Sequence, residues 1–357
     1  MSRRYLGINV LEATKKRVEW IYDNYEHISV SVSSGKDSTV LYYLMLDEAI
    51  KRNRSIEVFF LDQEAEYQAS IDLVEEMMQH SNVVPMWYQV PIKMKNATDL
   101  LNDGFFYAWE EGKEHMRRKH ELAIHEIDEE YPQRFYPFLE WYEGKKKDYA
   151  LVIGLRAEES LNRYRTVTKH KGEKGILWST RNKYYPLYDW RSGDIWKYLL
   201  DNNLPYNRIY QKMWLNCVKP RFMRVSNLIH DISYKTLAEL QIYEADTFNR
   251  LCKRNPSIHS AGRHARDEKL YSGQVLPSKF SSWLDYRNYL VSTLTIEQQK
   301  KVLRRYEKQG KNATVYRQQV KELLVNDIKG TSNIRDNHEE KERLTDSLLF
   351  GEYEPNI

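Results

Sequence analysis

The reading of the fold turns on one stretch, His27-Ile28-Ser29-Val30-Ser31-Val32 followed by Ser33-Ser34-Gly35-Lys36-Asp37-Ser38 and the apolar run Thr39 to Ile50. The first six residues alternate at period two, as a strand does, and the last run has the composition and spacing of a helix. A turn of small residues joins them. Strand, small-residue turn and helix in that order open a nucleotide-binding α/β unit.

Working outward, Leu11, Thr14, Val18, Ile21, Tyr22 and Tyr25 fall on one helical stripe within residues 9–26. Downstream, Ser55 to Leu61 reads as a second strand ending at Asp62, and residues 65–80 as a helix. A third strand spans Val83 to Val90, closed by Pro91, and a fourth spans Tyr149 to Ile153, ending at Gly154. β-runs alternating with helices predict an α/β fold with a doubly wound parallel sheet, whose ligands bind at the carboxyl ends of strands. Ser33–Ser38, Asp62 and Gly154 all sit at such ends.

An insertion at about residues 95–148 separates the third and fourth strands, with a charged helix expected near 110–130 and an aromatic run through Phe135, Tyr136, Phe138, Trp141 and Tyr142. The expected division is a nucleotide-binding domain over 1–220 and a mostly helical, locally basic region over 221–357, with a frayed polar tail.

The length of 357 residues suits two domains, and 41% hydrophobic with 30% charged residues is a globular balance. The 55 Lys+Arg against 51 Asp+Glu give a net charge of only +4, so any affinity for nucleic acid must come from local patches. No run approaches the roughly 20 apolar residues of a membrane helix, and no secretory signal is expected. The two cysteines, Cys217 and Cys252, are too few for a disulfide framework or an iron–sulfur cluster. A cytoplasmic protein is the expectation, with no membrane association, no iron–sulfur cluster and no zinc.

A Gly-containing turn between a strand and a helix aims backbone N–H groups and the positive helix end at one point, where phosphates bind. Gly35 would permit close approach or a positive φ. Lys36 adds charge, and Ser33, Ser34 and Ser38 add hydroxyl donors. GxxxxGK[ST] and GxGxxG are both absent, and a Ser/Gly turn before a helix also serves as a plain N-cap.

Four segments, in order from Ser33 to Trp214, carry a family resemblance. Ser33–Ser38 resembles the SGGKDS loop of the PP-loop, or N-type ATP pyrophosphatase, superfamily. Phe60 to Met77 (FLDQEAEYQASIDLVEEM) is similar to the second-strand segment of that superfamily. Gly154 to Arg163 (GLRAEESLNR) and Tyr184 to Trp214 (YYPLYDWRSGDIWKYLLDNNLPYNRIYQKMW) resemble phosphoadenosine phosphosulfate (PAPS) reductases. The nearest branch resembles immunoglobulin-binding regulator A proteins. The fold this implies is adenine nucleotide alpha hydrolase-like.

The resemblance implies an adenine nucleotide, ATP or a relative, with its phosphates on Ser33, Ser34, Gly35, Lys36, Asp37 and Ser38, and Lys36 and Asp37 as catalytic residues. It implies Asp62 on the nucleotide or Mg²⁺ side and Gly154 close to the nucleotide. Arg156, Ser160 and Arg163 would line an anionic substrate end, where Arg forks match phosphate or sulfate oxygens. The implied activity is cleavage at the α-phosphate, of the ATP pyrophosphatase or adenylylation type. Regulation by nucleotide sensing with a ParB-like companion protein is the alternative, and sulfur chemistry on a nucleic acid a further one. Ser34 stands where SGGKDS has a Gly, a strain of about 1 kcal/mol if that position needs positive φ. PAPS reductases end in a Cys-containing motif, whereas the stretch Gly351 to Ile357 carries no Cys. Thiol-dependent reduction is therefore not expected.

His120-Glu121-Leu122-Ala123-Ile124-His125 is one residue longer than the HExxH metal motif, which on a helix would set the two His about 140° apart. His115, His120 and His125 are therefore expected on a solvated or partner-facing helix. Lys253, Arg254, Arg263, His264, Arg266 and Lys269 form one basic cluster, and Lys301, Arg304, Arg305, Lys308 and Lys311 another. These are either solvated faces or contacts to a nucleic-acid backbone. Trp190, Trp196, Tyr198, Tyr206, Tyr210 and Trp214 are expected to pack helices onto the sheet.

Overall fold

The computed structural model describes residues 7–96, 98, 105–146, 148–169, 178–179, 183–220, 223–230, 236–264, 276–324 and 328. In chain order the first elements are α1 (Val10–Asn24), β1 (His27–Ser31), α2 (Lys36–Lys51), β2 (Ile56–Leu61), α3 (Gln68–Met78), β3 (Val83–Tyr88), β4 (Ile92–Lys95) and β5 (Phe105–Ala108). Next come α4 (Phe135–Gly144), β6 (Tyr149–Ile153), α5 (Leu161–Lys169), β7 (Trp178–Ser179), β8 (Lys183–Tyr184), α6 (Ser192–Asp201) and α7 (Ile209–Leu215). The helices α8 (Leu237–Tyr243), α9 (Ala245–Arg254), α10 (Ser257–His264), α11 (Trp283–Ser292), α12 (Ile296–Tyr306) and α13 (Ala313–Leu324) follow.

The main sheet has the order β3-β2-β1-β6-β8-β7, and β4 and β5 pair separately. The first five strands of that order run parallel, and β7 closes the edge antiparallel to β8. The expected α/β parallel sheet is thus present, extended by a short hairpin. From β1 the chain lays β2 and β3 on one side, then crosses to place β6 on the other. The topological switch therefore falls between β1 and β6, where Val30 pairs with Val152 and Ser31 with Ile153.

The apolar pattern explains the packing. On α1, Thr14, Val18, Ile21 and Tyr22 are buried, matching the predicted stripe, and Asn9 caps the helix by accepting from the Glu12 N–H at 2.9 Å. The α2 helix is buried over most of its circumference, as suits a helix at the centre of a sheet. Val30, Val40, Leu41, Met45, Val58 and Val152 belong to the core that joins it to the strands.

The residues near 110–130 do not form the expected charged helix. Their charge lacks an apolar period, and they run as turns and extended chain beside β3. Ile124 donates to Trp87 O at 2.7 Å and accepts from Gln89 N–H at 3.0 Å. The histidines here are not on a solvated helical face. The His120 ring stacks on Trp87 with centroids 4.6 Å apart, and His125 Nε2 lies 2.7 Å from His120 O.

Two compact units result. One comprises Met1–Met94, Tyr107–Leu228 and Glu239–Pro256 and holds the main sheet. The other comprises Lys95–Phe106, Ile229–Ala238 and Ser257–Ile357. Within the latter, Val291, Val302, Tyr306 and Leu323 form the core of a small helical module.

In the first basic cluster Lys253 is exposed, whereas Arg254 is half-buried and turned inward, with Nε 2.9 Å from the wholly buried Glu64 carboxylate and Nη2 2.7 Å from Tyr107 O. Arg266 and Lys269 lie outside the described residues, as do the side chains of Arg263 and His264. Of the expected packing aromatics, Trp190 is buried and donates to Thr14 Oγ1 at 2.8 Å, but Trp214 is 66% exposed. No helix among the described residues is long and apolar enough to cross a membrane.

Candidate functional site

The switch point brings together the loop after β1 and the loop after β6. Left-handed backbone falls on Ser34, with φ of 55°, whereas Gly35 has φ of −73° and is the N-cap of α2. The conformational demand expected of Gly35 is therefore met one residue earlier. Ser34 is held in place locally, its Oγ donating to Ser33 O at 2.6 Å. From 173 residues away, Asn207 Nδ2 reaches Ser34 O at 3.4 Å and Ser70 Oγ at 2.9 Å. Ser38 closes the loop by accepting from the Ser33 N–H at 3.2 Å and donating to Gly35 O at 2.9 Å.

The loop delivers Lys36 and Asp37 to the N-terminus of α2, where helix geometry leaves backbone donors open to an anion. Lys36 Nζ lies 2.9 Å from Asp37 Oδ2, and Arg156 Nε, from the loop after β6, lies 2.6 Å from Asp37 Oδ1. Both cations are buried, Lys36 to 8% exposure and Arg156 to 4%. Burial depresses the Lys36 pKa most; Asp37 opposes this, and Arg156 and Arg163 lower it further. Arg163, which is only partly covered, is depressed by that partial burial first, with Asp37 opposing and Arg224 and Arg156 adding to it. Cations that depress one another in this way favour an anion among them.

The remaining predicted residues divide. Gly154 belongs to the site as a spacer: a Cβ there would lie 3.0 Å from Asp37 C, Asp37 O and Ser38 Cα. Its lack of a side chain lets β6 approach the first turn of α2. Arg163 pairs with Glu159 and keeps a side chain 46% exposed. Ser160 is exposed, and its Oγ accepts from the Arg163 N–H at 3.2 Å, a cap on α5.

Asp62 is engaged in a separate network. It is wholly buried, and both oxygens are committed. Oδ1 accepts from the Glu64 N–H at 2.9 Å and pairs with Arg117; Oδ2 accepts from Trp87 Nε1 at 3.1 Å and Gln89 Nε2 at 2.9 Å. A carboxylate with four donors has no oxygen to offer a cation, so Asp62 does not fit the expected Mg²⁺ role. Among the described residues no group of three or more His, Cys, Asp or Glu is arranged to hold a metal ion.

Tyr210, expected only to pack helices onto the sheet, and Asn207, with no role expected, both reach the loop. Tyr210 Oη accepts from the Lys36 backbone N–H at 3.1 Å. Both lie in the stretch Leu204-Pro205-Tyr206-Asn207-Arg208-Ile209-Tyr210, whose spacing was visible but whose partner was not. Glu64, Arg117 and Arg254 form the support behind Asp62, and no local pattern links them.

Residues 27–237 match the phosphoadenosine phosphosulfate reductase domain. The uncharacterized protein YbdN of Escherichia coli (strain K12) is 26% identical over 310 residues, covering 81% of this chain and 76% of that protein. An adenosine 5′-phosphosulfate reductase of Oceanobacillus iheyensis is 28% identical over 198 residues, covering 55% of this chain and 71% of the relative. Among solved structures, the phosphate complex of PAPS reductase from Candida auris matches at 12% identity and a TM-score of 0.30, covering 59% of this chain and 94% of that one.

Proposed function

The chain belongs to the phosphoadenosine phosphosulfate reductase domain family, and we propose that it binds an adenine nucleotide with its phosphates over Ser33–Ser38 and supports attack at the α-phosphorus. The observation that carries this reading is the convergence of two buried cations, Lys36 and Arg156, on a left-handed loop at the switch point of the sheet. In the reaction an acceptor's lone pair forms a bond to the α-phosphorus, the bond to the bridging oxygen breaks, and pyrophosphate leaves with that electron pair. Lys36 and the N-terminus of α2 neutralise charge on the departing group. Arg156 and Arg163 hold the opposite anionic end, and Asp37 orients Lys36 and Arg156 between them.

Mg²⁺ would enter with the phosphates, since the oxygens of both Asp37 and Asp62 are already engaged. A thiol nucleophile has little support: burial raises the Cys252 pKa, and Cys217 is an exposed residue just past α7. The relatives named for adenosine 5′-phosphosulfate make that nucleotide the ligand to compare with ATP.

A second reading, a nucleotide-responsive regulator working with a ParB-like companion, is favoured by the engagement of both oxygens of Asp37. With Lys36 and Arg156 on that carboxylate, it is poorly placed to act as a general base.

Calorimetric titration of the full chain with ATP and with adenosine 5′-phosphosulfate, paired with a pyrophosphate-release assay, tests both. Binding that Lys36→Ala weakens at least about tenfold, with pyrophosphate released over many turnovers, is the expected outcome. Binding without turnover favours the regulator. Absence of heat with every adenine nucleotide sinks both.

A further inference from the structure

We propose that the helical module of residues 276–324 binds the sugar–phosphate backbone of a nucleic acid, without base specificity, through the exposed face of α12 and the turn after it. This lies outside the nucleotide reading and does not depend on it.

The first observation is a charge imbalance. Residues 276–324 contain ten Lys or Arg and only four Asp or Glu, whereas the whole chain has 55 against 51. The module alone therefore holds a surplus larger than that of the entire protein. The second is how the charges are placed. Val302 and Tyr306 are buried in the module's core, so the opposite side of α12 faces out. Lys300 and Arg304 lie on that side of α12, about 40° apart at 100° per residue, and both are exposed, as are Lys308 and Lys311 in the chain that follows the helix.

The third observation is pairing. Arg305 is taken by Glu322 at 2.6 Å, and Lys301 by Glu297 at 2.7 Å. Lys300, Arg304, Lys308 and Lys311 have no carboxylate partner among the described residues. A helix whose apolar side is covered and whose cations are spared from internal ion pairs fits an external polyanion. The i, i+4 step from Lys300 to Arg304 advances about 6 Å, and Lys308 and Lys311 follow beyond the helix end, so the patch offers four cations to a strand that carries one phosphate per about 3.4 Å of helix axis.

A lipid surface is the competing polyanion. An interfacial helix inserts a broad apolar face, and on α12 that face is occupied by the core. Only Ile296 and Leu303 remain outside as exposed large apolar residues of this helix. The phosphate lattice of a nucleic acid asks for the cations alone.

The test is fluorescence anisotropy of the full chain with a labelled 20-base-pair duplex of arbitrary sequence, repeated across a salt series. Four phosphate contacts predict that log K falls against log salt with a slope of about −3.6, and that an unrelated sequence binds equally. The double variant Arg304→Gln/Lys308→Gln should reduce the slope by about two and weaken binding at least about tenfold at low salt. Its circular dichroism and ATP titration should match the parent, because both positions are exposed. Lys197→Gln, which removes an exposed cation from the other unit, should leave the slope unchanged. No binding at 50 mM salt overturns the proposal, as does binding that the double variant leaves intact. Capture by vesicles containing anionic phospholipid, with none by duplex or single strand, also overturns it and assigns the face to a membrane surface.

Discussion

The phenol oxygen of Tyr210 accepts a 3.1 Å hydrogen bond from the backbone N–H of Lys36, tying α7 to the first turn of α2 across 174 residues. The bond occupies one of the donors that a helix N-terminus leaves unpaired. Burial drives the Tyr210 pKa far above its usual range, so the phenol stays protonated and its lone pair remains available to Lys36.

Tyr210→Phe removes that acceptor and leaves a buried N–H without one, which costs about 1–3 kcal/mol. The expected result is a lower denaturation midpoint. Added nucleotide should recover more stability in the variant than in the parent, because a phosphate oxygen can replace the phenol. Equal recovery in both proteins would show that phosphate does not reach the Lys36 N–H.

Ser34 sits at φ of 55°, a region that costs a residue bearing Cβ about 1–2 kcal/mol. Ser34→Gly removes that strain and also loses the 2.6 Å bond from Oγ to Ser33 O. The two effects are similar in size, so stability should change by less than about 1 kcal/mol and nucleotide affinity should persist. Ser34→Val cannot adopt this backbone without greater strain, and it should lose both. A tolerated Val would mean the loop relaxes to negative φ.

Gly35 and Gly154 part company on the same argument. A Cβ on Gly35 meets Ser33 Oγ at 3.4 Å and Tyr210 Oη at 3.8 Å, which are ordinary contacts. One on Gly154 meets the backbone of Asp37 and Ser38 at 3.0 Å, which must move. Gly154→Ala should therefore destabilise by about 1–3 kcal/mol. Gly35→Ala should fold normally and weaken nucleotide binding, because its methyl group would sit within the loop proposed to hold the phosphates. Denaturant unfolding and calorimetry on the two variants separate a packing glycine from a ligand-facing one.

These positions also show what a single sequence can disclose. The β1–loop–α2 unit was legible because alternation, small residues and an apolar helix follow one another within twenty residues. The β6 strand was legible because Tyr149 to Ile153 is a continuous apolar run. The β7–β8 hairpin was not, since its strands of two residues are too short to show a period. Charge alone suggested a helix near 110–130, and charge without apolar periodicity does not make one. Asp62 was placed correctly at a strand end, but the Arg117 that binds it lies 55 residues away and has no motif of its own. Glu64 and Arg254 are 190 residues apart. Pairing at that range is decided by tertiary packing, which leaves no local trace.

Asp37 stands between Lys36 at 2.9 Å and Arg156 at 2.6 Å. Asp37→Asn leaves two buried cations without their shared counter-charge, a loss of the kind that costs about 3–5 kcal/mol. An oxyanion bound among them should restore much of it. Melting curves in sulfate and in chloride at equal ionic strength should therefore diverge more for the variant than for the parent. Parallel shifts would mean that sulfate does not enter between Lys36 and Arg156.

Glu66, partly buried beside Asp62, has its pKa raised from 4.5 to about 8, by burial first and by the Asp62 charge second; Arg117 and a hydrogen bond from Asn227 oppose the rise. Between those two values the folded chain holds a proton that the unfolded chain has released. The contribution is full below about pH 4.5 and is lost as pH rises through 8, at no more than about 1.4 kcal/mol per pH unit. Glu66→Gln keeps a neutral side chain in the same space and removes the titration. Unfolding free energy measured from pH 5 to 9 should thus fall less steeply for Glu66→Gln than for the parent, the curves running parallel once Glu66 has ionised. Identical slopes across that range would show that Glu66 is ionised in the folded protein, with Arg117 rather than burial setting its charge.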